Sequence, residues 1–186
     1  LPRPVKPGET VEVEIEFDLS IPSVQGRFGS YQGVTNLLNW HPIVAYYSDT
    51  GWDAPQFIAW HQPWLNEAGN YHVRLTLPAG EEVASSGHLV GVEVDEQGWK
   101  RLDILGTGVR DFAIITSKRF EVHEAEFDGV KIRVLAFPEH RFYARFASKI
   151  AAECIEIYRG WFGPYGRPEF TVVESYFGWN GNESTG

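Results

Sequence analysis

Alternation of apolar and polar residues at every second position, broken at short intervals by turn residues, is the feature that most narrows what this chain can fold into. From residue 11 to 19 the odd positions are Val11, Val13, Ile15, Phe17 and Leu19, and the positions between them are Glu12, Glu14, Glu16 and Asp18. Successive side chains of a strand point to opposite faces, so this pattern predicts a strand with one wet, acidic face. Residues 71–77 alternate in the same way and stop at Pro78-Ala79-Gly80. Further apolar or alternating runs follow at 89–94, 99–105, 112–115, 120–127 and 130–136. Asp128-Gly129 separates the last two, and two central residues that both tolerate positive φ predict a tight hairpin. Asp95-Glu96-Gln97-Gly98 is a looser version of the same device. Many short strands with regular turns predict a mainly β chain built as an antiparallel saddle or sandwich.

The periodicity changes near residue 138. Pro138 suits a helix start, Glu139 complements the positive end of the helix dipole, and Phe142, Phe146, Ile150, Cys154, Ile157 and Trp161 recur at spacings of three and four. This predicts an amphipathic helix of about six turns with that apolar set as its packed side. Gly160 and Gly163-Pro164 end it, and a β-branched run at 170–173 follows. The expected organisation is a β domain over 1–136 and the α/β start of a second domain, one helix and one strand, over 137–186.

Composition excludes several classes. The chain carries 25 acidic and 16 basic residues, a formal charge of −9, where a nucleic-acid partner requires a basic face. No apolar run reaches the roughly 20 residues of a membrane span. The single cysteine, Cys154, has no partner for a disulfide or a thiolate metal site and reads as a small core residue. The chain has no methionine, opens on Leu1-Pro2-Arg3-Pro4 and closes in a glycine-rich loop, which together suggest an excised piece of a longer protein.

Candidate sites are few. His123-Glu124 begins like a zincin helix but has no second histidine and lies in a strand pattern. Trp40, Trp52, Trp60 and Trp64 with Tyr46 and Tyr47 could stack a sugar, although large aromatics between strands more often fill a core. Asn182-Glu183-Ser184 matches an N-glycosylation acceptor, a common chance pattern. Glu183, delivered by a strand into a loop with Gly178 and Gly181, is the best candidate for ligand chemistry, because glycine lets a backbone approach a ligand closely.

One resemblance extends this reading. The order Trp40-His41-Pro42, Asp49-Thr50-Gly51-Trp52, residues 71–78, Val83-Ala84-Ser85-Ser86-Gly87, Phe162-Gly163-Pro164-Tyr165 and Val172-Val173-Glu174 resembles the N-terminal region of the membrane alanyl aminopeptidase-like zinc metallopeptidases, the gluzincin group. The resemblance implies a saddle-shaped β domain followed by a thermolysin-like catalytic domain. It also implies that Glu183, in the place of the glutamate of a Gly-x-Met-Glu-Asn loop, holds the substrate's α-amino group, with Gly181 and Asn182 beside it as substrate-binding residues. The sequence departs from that loop at Asn182, where the family has methionine, and at Ser184, where it has asparagine.

The resemblance further implies zinc in the parent protein, a peptide substrate, and the remainder of the catalytic domain as a partner. The His-Glu-x-x-His motif is not among these 186 residues. No catalytic residue, no zinc and no hydrolysis are therefore expected of this chain alone. A stand-alone module binding peptide or carbohydrate through the Trp/Tyr cluster is the alternative.

Overall fold

The computed structural model describes residues 4–53, 66–178, 181 and 183. The chain is mainly β, with antiparallel pairing in most of its sheets and one long helix. The strands β1 (Phe28–Tyr31), β2 (Val34–Leu37), β6 (Glu82–Ser85) and β9 (Ile114–Ser117) form a four-stranded sheet in the order β1-β2-β9-β6. The long strands β5 (Gly69–Pro78) and β8 (Trp99–Val109) pair antiparallel, and β7 (His88–Val94) lies on the other side of β8. Two short strands, β3 (Tyr46–Ser48) and β4 (Gly51–Asp53), make a separate hairpin. The third large element is β10 (Glu121–Phe127), β11 (Val130–Ala136) and β12 (Glu169–Val173), covered by the helix α1 (Arg141–Phe162).

Adjacent residues of one strand face opposite layers, and three apolar clusters use that alternation. In the four-stranded sheet, Val83 and Ile114 pack with Leu77, Leu102, Ile104 and Phe112 toward the β5-β8-β7 sheet. Their neighbours Ala84 and Ile115 point the other way, joining Val34, Phe120, Leu135 and Phe137. In β11, Leu135 belongs to that second cluster, while Ile132, Val134 and Ala136 meet Ala144, Ala151 and Ile155 of α1. The layers thus stack as sheet, sheet, sheet and helix.

The predicted hairpin is present: Asp128 has φ 52° and Gly129 φ 76°, the left-handed values that a two-residue turn demands. The strands expected at 71–77, 89–94, 99–105 and 130–136 are present, and the one expected at 120–127 begins at Glu121. The run at 112–115 is displaced, because β9 starts only at Ile114. Side chains claim the backbone before it: the Trp40 indole donates to the Phe112 carbonyl at 2.8 Å, and the Ser86 hydroxyl accepts from the Ala113 amide at 2.9 Å. A ladder cannot form where those groups are already bonded.

Two expectations need correction. Residues 11–19 belong to no strand. Residues 10–21 make no backbone hydrogen bond with another described residue, and a strand exists only where a neighbour pairs with it. The second correction concerns α1. It starts after a 3-10 turn at Pro138–His140 and ends where Gly163 turns at φ 92°, as the sequence signals indicate. Its packed side, however, is Ala144, Ala151 and Ile155. Phe142 remains 77% exposed and Trp161 70%, with Phe146, Ile150 and Ile157 also exposed. Cys154 is half-buried and not in the core. Alanines let the helix axis approach the sheet closely, while the bulky stripe is rotated by about a third of a turn from them.

The chain path from β11 through α1 to β12 returns parallel, with Lys131 to Leu135 in register with Glu169 to Val173. The expected boundary at residues 136 and 137 therefore lies between two strands of one sheet.

Candidate functional site

The segment that leaves β12 is fixed before it reaches Glu183. The Glu174 amide donates to the Leu135 carbonyl at 2.9 Å, and its carboxylate accepts from the Phe137 amide at 3.0 Å and lies 2.5 Å from His140 Nδ1. Ser175 donates to the side chain of Asn36 at 2.6 Å, while the Asn36 amide donates to the Gly26 carbonyl at 2.8 Å. Asn36 is buried, so these bonds satisfy groups that water cannot reach. Tyr176 stacks on Phe137, its carbonyl accepts from the Gly26 amide at 3.2 Å, and its hydroxyl accepts from Arg119 at 3.1 Å.

Arg119 organises this corner. Its guanidinium lies 4.0 Å above the Phe137 ring, donates to the Gln32 carbonyl and pairs with Glu139 at 3.1 Å. A planar group with several donors can hold three segments at once, which a lysine could not. These contacts carry the chain to Gly178, whose φ of 88° turns it.

Beyond the turn, Gly181 and Glu183 line a cleft of about 1390 Å³. Its walls are the β6–β7 turn with His88, the end of β8, the C-terminal half of α1, the 163–168 loop and β12. That volume exceeds the roughly 300–1,000 Å³ of small-ligand sites and admits a length of chain. Arg167 ties the 163–168 loop across to β8, donating to the carbonyls of Thr107 at 3.0 Å and Gly108 at 3.3 Å. Burial holds the Tyr165 phenol above its ordinary pKa, and it stays neutral there.

Three carboxylates line the cleft, and their partners separate their roles. Glu169 pairs with Arg133 at 3.3 Å, and both side chains are nearly buried. Glu174 is occupied by His140 and the Phe137 amide. Glu183 is exposed and has no partner among the described residues, leaving its charge available to a ligand. A Cβ added to Gly181 would lie 3.7 Å from Glu183 Oε1, an ordinary contact, so nothing within the described chain requires glycine there. Asn182, and with it the glycosylation pattern, lies outside the described residues.

The other candidates disperse. Trp40 is tied to Phe112 and packs against the cluster of Leu77, Leu102, Ile104 and Phe112. Trp52 meets Tyr47 edge-on at 4.8 Å on the β3–β4 hairpin, while Trp60 and Trp64 lie outside the described residues. His123 sits in β10, not on a helix. Among the described residues no three His, Cys, Asp or Glu side chains converge as metal ligands, so this set does not fit zinc. Among them, too, no helix is long and apolar enough to cross a membrane. Sequence reasoning missed Arg119 and Asn36, whose roles arise from contacts with chain more than fifty residues away.

No family model matches the chain, and no curated protein does. The solved structures similar to the chain include two of a mutant two-domain M1 zinc metallopeptidase, one bound to L-tryptophan and one to L-arginine. Each is 20% identical over 93% of this chain, with TM-scores of 0.52 and 0.51. The chain spans 40% of the length of each, and at this identity the likeness establishes the fold.

Proposed function

We propose that this chain is the N-terminal β domain, together with the first helix and strand of the catalytic domain, of an M1-type zinc metallopeptidase that acts next to a free peptide N-terminus. The observation that carries the reading is the placement of Glu183. Glu174 and Ser175 bond the segment after β12 to two sheets, and Glu183, which has no partner among the described residues, lines a cleft large enough for a peptide. In that role Glu183 accepts a charge-assisted hydrogen bond from the substrate's α-ammonium and fixes which bond lies at the reacting centre. Gly181 and Asn182, which precede it in sequence, share the substrate-binding role. The shared fold of the two-domain peptidases supports the reading.

The helix gives independent support. One side of α1 is packed on the sheet, a second side carries Phe146, Ile150, Ile157 and Trp161 in the open, and the remaining sector holds Arg141, Arg145, Lys149, Glu153, Glu156 and Arg159. An apolar helix face with no cover among the described residues is made to be buried by a further part of the protein. The remainder of the catalytic domain is the cover we assign to it. Zinc belongs to residues outside this set, and peptide hydrolysis to the longer protein.

The test is the gene downstream of residue 186 and its full product. A His-Glu-x-x-His motif there, with one zinc per chain by metal analysis, is the expected result. A full product that lacks both overturns the proposal.

A further inference from the structure

The acidic alternating segment is the largest feature that the peptidase reading leaves unused. Val11, Val13, Ile15, Phe17 and Leu19 are 42–60% exposed, and Glu12, Glu14, Glu16 and Asp18 between them are exposed as well. None of these four acids makes an ion pair with a described residue. The backbone from 10 to 21 belongs to no helix, strand or turn and makes no hydrogen bond to another described residue. It is nonetheless placed: the Phe17 ring lies 6.5 Å from that of Trp40, and the Pro22 carbonyl that follows accepts from the Ser30 amide at 2.8 Å.

A segment of strand-like alternation whose amides and carbonyls pair with no described residue is a template for strand addition. We propose that residues 11–21 bind an extended strand of another polypeptide, apolar on one face and carrying Lys or Arg on the other. Charge selects this occupant. Pairing with a second copy of the segment would set eight carboxylates on one face of a two-stranded ribbon, and like charges directly opposite are destabilising. A basic strand meets the same four acids with opposite charge while its apolar face extends the Val11–Leu19 stripe. Pro22 ends the pairing register, because it has no amide to donate. This inference stands apart from the peptidase reading.

The probe is acetyl-(Val-Lys)5-amide, with acetyl-(Val-Glu)5-amide as its opposite. Calorimetry at low and moderate salt reads affinity, and amide hydrogen exchange locates the site. Expected are binding of the Lys peptide, slowed exchange across residues 11–21, and affinity that falls as salt rises. Combining Glu12→Lys, Glu14→Lys and Glu16→Lys should weaken the Lys peptide by about tenfold or more and admit the Glu peptide. Ile15→Pro removes one amide from a segment that gives none to another described residue, so the protein should stay folded and lose binding. Equal binding of both peptides, or exchange at 11–21 unchanged by the Lys peptide, overturns the proposal. Concentration-dependent dimerisation through 11–21 without peptide overturns it in favour of a second copy. Slow exchange there in the full gene product without peptide overturns it in favour of the protein's own chain.

Discussion

Two substitutions in α1 should behave oppositely to what their apolar stripe suggests. Ile155 is 7% exposed against the β10-β11-β12 sheet, and Phe142, the larger residue, is 77% exposed. Ile155→Ala removes buried methyl and methylene groups and leaves a cavity, a loss of about 2–4 kcal/mol. For a chain of 186 residues each kcal/mol moves Tm by about 2–4 °C, so a loss near the middle of that range lowers Tm by about 6–12 °C. Phe142→Gln gives up only the covered quarter of a ring that buries about 200 Å², or about 50 Å². At about 25 cal/mol per Å² that is about 1 kcal/mol as an upper bound. The better helix propensity of glutamine returns a few tenths. Phe142→Gln should therefore shift Tm by less than about 3 °C and reduce self-association. Thermal and urea unfolding of both variants read the difference. If Phe142→Gln costs as much as Ile155→Ala, the exposed stripe is packed and the assignment of the helix faces is wrong.

Asp111 is held above the ordinary aspartate range, first by desolvation on burial and against hydrogen bonds from the Asn39 and Phe112 amides and the charge of His41. A raised folded pKa means that its contribution to stability is full below the unfolded value, about 3.9, and is lost as pH rises through the folded one. Asp111→Asn should thus be stabilising relative to the native chain at pH 7, with the gain fading toward pH 3 in parallel melts; a gain as large at pH 3 would refute the cause. Asp128 holds φ 52° in the β10–β11 turn, so Asp128→Ala should cost about 1–2 kcal/mol by urea unfolding, whereas Asp128→Gly should be close to neutral. Equal losses for the two would show that the Arg159 ion pair, not the backbone, decides the turn.

The legible parts of this fold were those whose physics is local. Asp128-Gly129, Pro78, Gly163 and the alternation of 71–77 each act within a few residues, and each marks the element or boundary it indicates. The β1–β2 hairpin escaped notice because its turn is Gln32-Gly33, with Gln32 at φ 48°, a residue seldom chosen for that conformation. Two apolar stripes misled for a common reason. A period shows that a face is made to be covered, but not what covers it: α1 uses its alanines for the sheet, and 11–19 pairs with no described strand. Of the candidate site, Glu183 stood out as the one acid of a glycine loop. The grip of Arg119, Asn36 and Glu174 on the segment before it depends on tertiary contacts that no spacing encodes.

The central claim is that the Glu183 carboxylate binds a substrate's free α-ammonium, and the direct measurement is kcat/KM of Glu183→Gln in the full gene product on matched free-amine and N-blocked peptides. A charge-assisted bond is worth about 1.5–3 kcal/mol against about 1 for a neutral one, so the variant should lose about tenfold or more on the free-amine peptide. The N-blocked peptide should be turned over as before. An unchanged ratio between the two would make Glu183 an ordinary loop carboxylate and contradict the account.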